Sequence, residues 1–262
     1  MMGFFLLSSI LSRFFQRTVS VVGEDPPAME RFIIDFDAYT KSIILEAEDR
    51  VANHQRSVND YIVLRRDTCG AKPTFSFFGL GLGIPNAVFD NPIMISLIEN
   101  ATDLIAITNV SLIILNATYK FRVLILHFFF FCFGKKDMHS YRLERSRGLE
   151  VHNIITSIME EYQLNLQQSL YWLSGYASKT ISNFLTNIHS LPSWGEKIDR
   201  GIDVYVDRVA RCVRGYDAWS YETNRYYGDE GLKVREGRKI RLLPPDTGYI
   251  TRAELEREIM VA

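Results

Sequence analysis

The sequence predicts an all-α fold. Apolar residues recur at three- and four-residue spacing through most of the chain, as on the buried face of a helix. Neither strand-like alternation nor a strand–helix–strand order accompanies them. Gly and Pro clusters cut the pattern into helix-sized pieces, which predicts a bundle with a helix-lined interior. The 262 residues fit one large domain or two small ones, and a composition 47% hydrophobic and 13% aromatic can form a sizeable core with aromatic walls. Thirty basic residues against 31 acidic ones give no electrostatic case for nucleic acid. Cys69, Cys132 and Cys212 are scattered and odd in number, which suits a reducing, cytoplasmic setting and offers no zinc spacing. No obligate protein partner is expected.

Residues 1–15 are apolar with Arg13 as their single charge, but they lack the basic start and clear cleavage site of a secretory signal. A weak targeting segment and a start-site artefact are both open readings. GEDPP at 23–27 closes a linker. A helix is predicted from Ala28 to about Asn59, with Phe32, Ile33, Phe36, Tyr39, Ile43 and Ile44 as its apolar positions. Asp35 and Asp37 are two apart, poor spacing for shared ligands on a helix, and read as surface residues. Asp60 is placed to cap the next, short helix and Gly70 to end it. Arg65 and Arg66 in that helix cannot both face one way. Either they supply a rim salt bridge with Asp67, or one guanidinium turns inward to grip an anion. GLGLG at 79–83 is a loop, a broken helix or a close helix contact, without the context of a phosphate fingerprint. Residues 93–109 read as a helix, 149–174 as a long one continued after Gly175 to Ile188, and 198–219 as another. Residues 228–237 read as a loop.

Residues 110–136 are out of character, with no acid and the run FFFFCF at 128–133. By length alone, residues 110–133 could span a membrane. Arg122 would then fall near mid-membrane, at a cost of roughly 2.5–3.5 kcal/mol. The flanks also read as one amphipathic helix once this piece is removed, so no membrane partner is expected. DMHSYRLE follows at 137–144. In a helix Ser140 and Glu144 share a face, with Asp137 beside them. Carboxylate and hydroxyl oxygens suit Mg²⁺, especially when substrate phosphates complete its octahedron. That is half of a hard-cation site.

These segments together resemble the class I terpene synthases, in their fungal (mushroom-type) sesquiterpene branch. The resemblance is carried by YIVLRRDTCG at 61–70 with Lys72 and Pro73, and by Asn109 read directly onto DMHSYRLE. QSLYWLSGY at 168–176 and RGYDAWSYETNRYYG at 214–228 complete it. It runs from Met29 to Pro245, apart from 110–136. It implies a class I terpenoid synthase helical bundle around a deep aromatic pocket, a prenyl diphosphate as partner, and three Mg²⁺ ions. It implies that Asn109, Ser140 and Glu144 are metal ligands, with Asp137 as the supporting acid. Arg66 would sense the diphosphate, with Arg65 as second choice. Cys69 would link the sensor to Gly70, whose carbonyl would help trigger ionisation. Arg225 and Tyr226 would hold the diphosphate as the pocket closes.

Two departures shape the expected function. Asn109 and Asp137 should be neighbours, yet 27 residues separate them, about 40 Å if helical. The piece begins with Val110 and ends with Lys136, whose codons can carry the two borders of an intron kept in frame. It is therefore expected to be translated intron sequence. Looping it out costs only about 3 kcal/mol. Breaking the ligand-bearing helix matters more, because a misplacement near 1 Å can cost about a hundredfold in rate. The second departure is the absence of an Asp-rich metal motif upstream of residue 61, since DFD at 35–37 lacks its form. The chain is thus expected to lack the first several helices. It divides into an atypical segment at 1–27, a synthase-like helical domain at 28–245 interrupted by 110–136, and a tail at 246–262. The intact form is expected to cyclise farnesyl diphosphate to a sesquiterpene, and the chain as written to be weak or inactive. The alternatives are a non-catalytic prenyl-diphosphate-binding protein and a membrane-anchored helical protein using residues 110–133.

Overall fold

Two prolines open the first long helix, at positions whose N–H groups have no partner inside a helix. In the computed structural model this helix, α1, is Pro26–Ala52, and the Asp25 side chain accepts the Ala28 N–H at 3.3 Å. The structure describes residues 25–106, 137–237 and 242–243, together with Arg13, Gln16, Arg17 and Ser20. Among them there is no strand.

α1 stops seven residues earlier than its periodicity suggests, because Asn53 takes a left-handed conformation (φ 50°). Asp49, buried, clamps the turn by accepting from Arg56 Nε at 2.5 Å and Nη2 at 3.1 Å. Ser57 then caps α2, Val58–Thr68, by accepting the Asp60 N–H at 3.1 Å. Asp60, predicted as the cap, instead sits three residues in and accepts from the Ser57 hydroxyl at 2.7 Å. Gly70, in the left-handed region at φ 72°, ends α2 and begins α3, Ala71–Phe78. The GLGLG stretch is a turn, with positive φ at Gly81 and Gly83.

The short α4, Asn86–Phe89, leads to α5, Pro92–Ala106. Every residue from Asn100 to Ala106 is buried, as in a helix enclosed on all sides. Helices α2 and α3 pack against it, as do α8 (Leu166–Ser190) and α9 (Glu196–Glu222). Between them lie α6, Asp137–Ser146, and α7, Ile154–Glu161.

The single helix predicted over 149–174 is three pieces: a 3₁₀ turn at Glu150–His152, α7 and the start of α8. Asn153 caps α7, Gln163 turns left-handed, and Asn165 and Gln168 form a reciprocal capping box at 2.9 Å in each direction. After α9, Thr223 caps α10, Asn224–Tyr227, and a 3₁₀ turn leads to α11, Gly231–Gly237. The loop predicted at 228–237 is therefore mostly helical. Gly231 makes this possible: a Cβ there would lie 1.8 Å from the Tyr221 carbonyl oxygen.

Candidate functional site

Adjacent residues on a helix point about 100° apart. Arg65 and Arg66 accordingly leave α2 toward different neighbours. Arg65 is buried and its Nη1 donates to Thr68 Oγ1 at 3.1 Å. Arg66 reaches α5, where Nε and Nη2 form a fork on the two Asp103 oxygens at 2.8 and 2.9 Å. Its Nη1 also pairs with Glu99 at 2.8 Å. The Tyr176 hydroxyl on α8 donates to Asp103 Oδ2 at 2.7 Å. Asp103 is 1% exposed, so this charge is matched by a guanidinium and a phenol inside the bundle. Hydrogen bonding to Asp103 holds the Arg66 guanidinium charged more firmly than usual. Burial, reinforced by Asp103, pushes the Tyr176 phenol up. Neither arginine pairs with Asp67 in these contacts; Lys72 does, at 2.7 Å.

The end of α2 carries the Cys69–Gly70 pair. Burial pushes the Cys69 thiol up to about 11, and its Sγ lies 3.7 Å from the Arg66 carbonyl. The Gly70 carbonyl accepts from Thr74 Oγ1 at 3.0 Å.

On α6, Ser140 and Glu144 are buried one turn apart, as their spacing predicts. Asn153, fully buried, donates to Glu144 Oε2 at 2.9 Å. Asp137 is the first residue of α6. Asn109, the remaining predicted ligand, lies outside the described residues, as does the 110–133 stretch weighed as a membrane span. A buried hydroxyl and carboxylate one turn apart fit a hard divalent cation. Among the described residues, no three of His, Cys, Asp and Glu stand together as a fuller cluster. No described helix is long and apolar enough to cross a membrane.

The C-terminal segment closes on the same region. Arg225 is exposed, 5.5 Å from the ring of the buried Tyr226. Burial raises the Tyr216 phenol, as does its contact with Tyr226, while Arg65 and Arg225 oppose the rise. Arg65, Tyr216, Tyr226 and Arg225 are thus one neighbourhood, and α6 packs beside α10. Arg66 faces the Asp103 network instead. Asp35, read as a surface residue, is half-buried: it accepts from Ser76 Oγ at 2.5 Å, and burial raises its carboxyl. Asp37 is exposed and pairs with Lys41, as expected.

Asp103 and Asn153 do not stand out from the sequence, and Tyr176 does so only as the last residue of QSLYWLSGY, with no role given to it. Asp103 carried a faint signal, as an acid inside the otherwise apolar ATDLIAI at 101–107.

The family described as terpene synthase family 2, C-terminal metal binding, matches residues 4–182. Sesquiterpene synthase Agr8 of Cyclocybe aegerita is 37% identical over 248 residues, which cover 95% of this chain and 63% of that protein. A delta(6)-protoilludene synthase of Hypholoma sublateritium is 30% identical over 217 residues, 83% of this chain and 58% of its own. The chain therefore spans less than two thirds of the length of these relatives. Among solved structures, the linalool/nerolidol synthase of Streptomyces clavuligerus superposes with a TM-score of 0.63 at 16% identity, over 80% of this chain and 64% of that one. An α-eudesmol synthase gives 0.58 at 14% identity, over 77% and 58%. These two likenesses show the shared fold.

Proposed function

The chain belongs to terpene synthase family 2, the C-terminal metal-binding group, and we propose that its protein is a fungal sesquiterpene synthase acting on farnesyl diphosphate. The observation that carries this reading is the burial of Ser140 and Glu144 one turn apart on α6, beside the Arg225–Tyr226 segment. Ser140 and Glu144, completed by Asn109 and supported by Asp137, would hold Mg²⁺. Mg²⁺ bound there would offset the negative charge that grows on the departing diphosphate. Asn153 holds one Glu144 oxygen and so orients the other.

In the proposed reaction the allylic C–O bond breaks and its electron pair leaves with diphosphate. The allylic cation then cyclises where water is excluded. Arg66 is assigned to sensing the diphosphate, Gly70 to a carbonyl that helps trigger ionisation, and Arg225 and Tyr226 to holding the leaving group. Arg66 would have to exchange Glu99 or Asp103 for the phosphate oxygens.

We further propose that residues 110–136 are translated intron sequence that weakens this activity by separating Asn109 from Asp137. A transcript joining codons 109 and 137 supports that. Deep coverage showing only the long form overturns it.

The activity test is gas chromatography–mass spectrometry of products from farnesyl diphosphate and Mg²⁺, with the chain as written and with residues 110–136 deleted. A sesquiterpene from the deletion, at more than tenfold the yield of the long form, is the expected result. Yields within tenfold of each other refute the disruption. Silence from two folded proteins sinks the catalytic reading and favours a non-catalytic prenyl-diphosphate-binding protein. The engagement of Arg66 by two carboxylates is the observation that speaks for a non-catalytic chain.

A further inference from the structure

Arg142 stands midway between Ser140 and Glu144 and therefore projects from the opposite side of α6. Its guanidinium carbon lies 5.3 Å from the centre of the Tyr227 ring, within cation–π range. Its Nε is buried without a hydrogen-bond partner, so the aromatic face is what receives this end of the guanidinium. Tyr227 belongs to a small apolar cluster with Tyr221 and Tyr226, separate from the main core. It stacks on Tyr221, with ring centres 5.8 Å apart and planes 10° from parallel. Tyr226, its neighbour in the chain, turns the other way, edge-on to Trp219 at 6.2 Å and in contact with Tyr216.

We propose that Arg142 is a positioning residue: by seating Tyr227 it docks the Arg225–Tyr226 segment on the back of the helix that carries Ser140 and Glu144. This rests on the synthase reading for its consequence, a coupling between diphosphate grip and metal ligands. The docking itself does not depend on that reading. The physical basis is economical in contacts. α10 has only four residues and is too short to hold a position by its own hydrogen bonds. A guanidinium from α6 inserted behind Tyr227 fixes where α10 sits. Tyr226 then meets Tyr216, and Arg65 and Arg225 both lie near that phenol.

The test needs no turnover. Arg225 is exposed and is a trypsin site inside α10. In the full chain, Arg142→Gln is expected to speed cleavage after Arg225 by about two- to fivefold, the weight of one exposed-to-buried cation–π contact. Cleavage after Arg208, exposed on α9, should stay unchanged, and Arg142→Lys, which keeps the cation, should restore most of the protection. Tyr227→Leu should match Arg142→Gln, and the double variant should add nothing further. Unchanged cleavage after Arg225, equal acceleration at Arg208, or additive effects in the double variant would each overturn the docking role. In whichever form yields product, Arg142→Gln should lower kcat more than it changes KM. Altered proteolysis with no product from any form separates failure of the synthase reading from failure of the docking.

Discussion

Helices α1 and α5 invert the usual distribution of polar and apolar groups. α5 carries Asp103 at 1% exposure, whereas α1 leaves Val51 85% exposed and Ile33, Ile34 and Ile44 more than half exposed. Position in the bundle decides this. Residues 100–106 of α5 are enclosed by the surrounding helices, so a charge there must find a partner. α1 packs one face on α2 and α3 and turns the other outward, where Ile43, Ile44, Ala47, Glu48, Val51 and Ala52 line an open groove. The proposed chemistry sits on the enclosed side. Asp103, Ser140, Glu144 and Asn153 are all buried and polar, and Arg66, Tyr176 and Asn153 reach Asp103 and Glu144 from other elements.

The comparison breaks most directly at Asp103. Asp103→Ala leaves Arg66 and the Tyr176 hydroxyl without their shared acceptor, and urea denaturation should show a loss of about 3–5 kcal/mol. A loss below about 1 kcal/mol would mean that the network is not what joins α2, α5 and α8. Asn153→Ala comes next. It removes the cap on Ile155 N–H and the donor to Glu144, and about 2–4 kcal/mol should be lost in the same assay. If Asn153 also orients Glu144, the variant should need more Mg²⁺ for half-maximal stabilisation in a thermal-shift titration.

Cys69 gives a pH signature of the enclosed side. Its folded thiol is raised to about 11 from an ordinary value of 9.0 by burial. The unfolded chain therefore releases this proton first as pH rises. Stability from Cys69 is complete below pH 9 and is lost between about 9 and 11, by roughly 2–3 kcal/mol. The buried phenols of Tyr176, Tyr205, Tyr216 and Tyr227, all pushed up by burial, add losses of the same sign that set in as pH approaches their ordinary value of 10. Denaturation midpoints at pH 8.5 and 10 should fall for the wild type and fall by about half as much for Cys69→Ala. Parallel falls would remove Cys69 as the cause.

Local signals in the sequence read well where one element suffices. The all-helical class, the end of α2 at Gly70, the start of α5 at Pro92, and the shared face of Ser140 and Glu144 all follow from spacing and turn residues. The break between α7 and α8 was also written locally, in the Asn165–Gln168 box, but the apolar period ran through it and masked it. Asp103 and Tyr176 lie 73 residues apart, and no local pattern announces a meeting that depends on how α5 and α8 pack. The choice between Arg65 and Arg66 has the same character. Their sequence context is shared, and only the surrounding helices separate one that meets Asp103 from one that meets Thr68.

The smallest effect belongs to α1. Its periodicity places Phe32, Ile33, Ile43 and Ile44 together as apolar residues, yet Phe32 is 4% exposed and Ile33 55%. A three- and four-residue repeat marks a face without saying how much of it is covered. Val51, near the end of the helix, loses almost no water contact on folding. Val51→Lys should therefore change the unfolding free energy by less than about 0.5 kcal/mol, despite replacing a hydrophobic residue with a charge. Phe32→Ala on the covered side should cost about 3–5 kcal/mol. A Val51→Lys loss above 1.5 kcal/mol would show that this face is covered in the folded protein, and would bring α1 under the rule that governs α5.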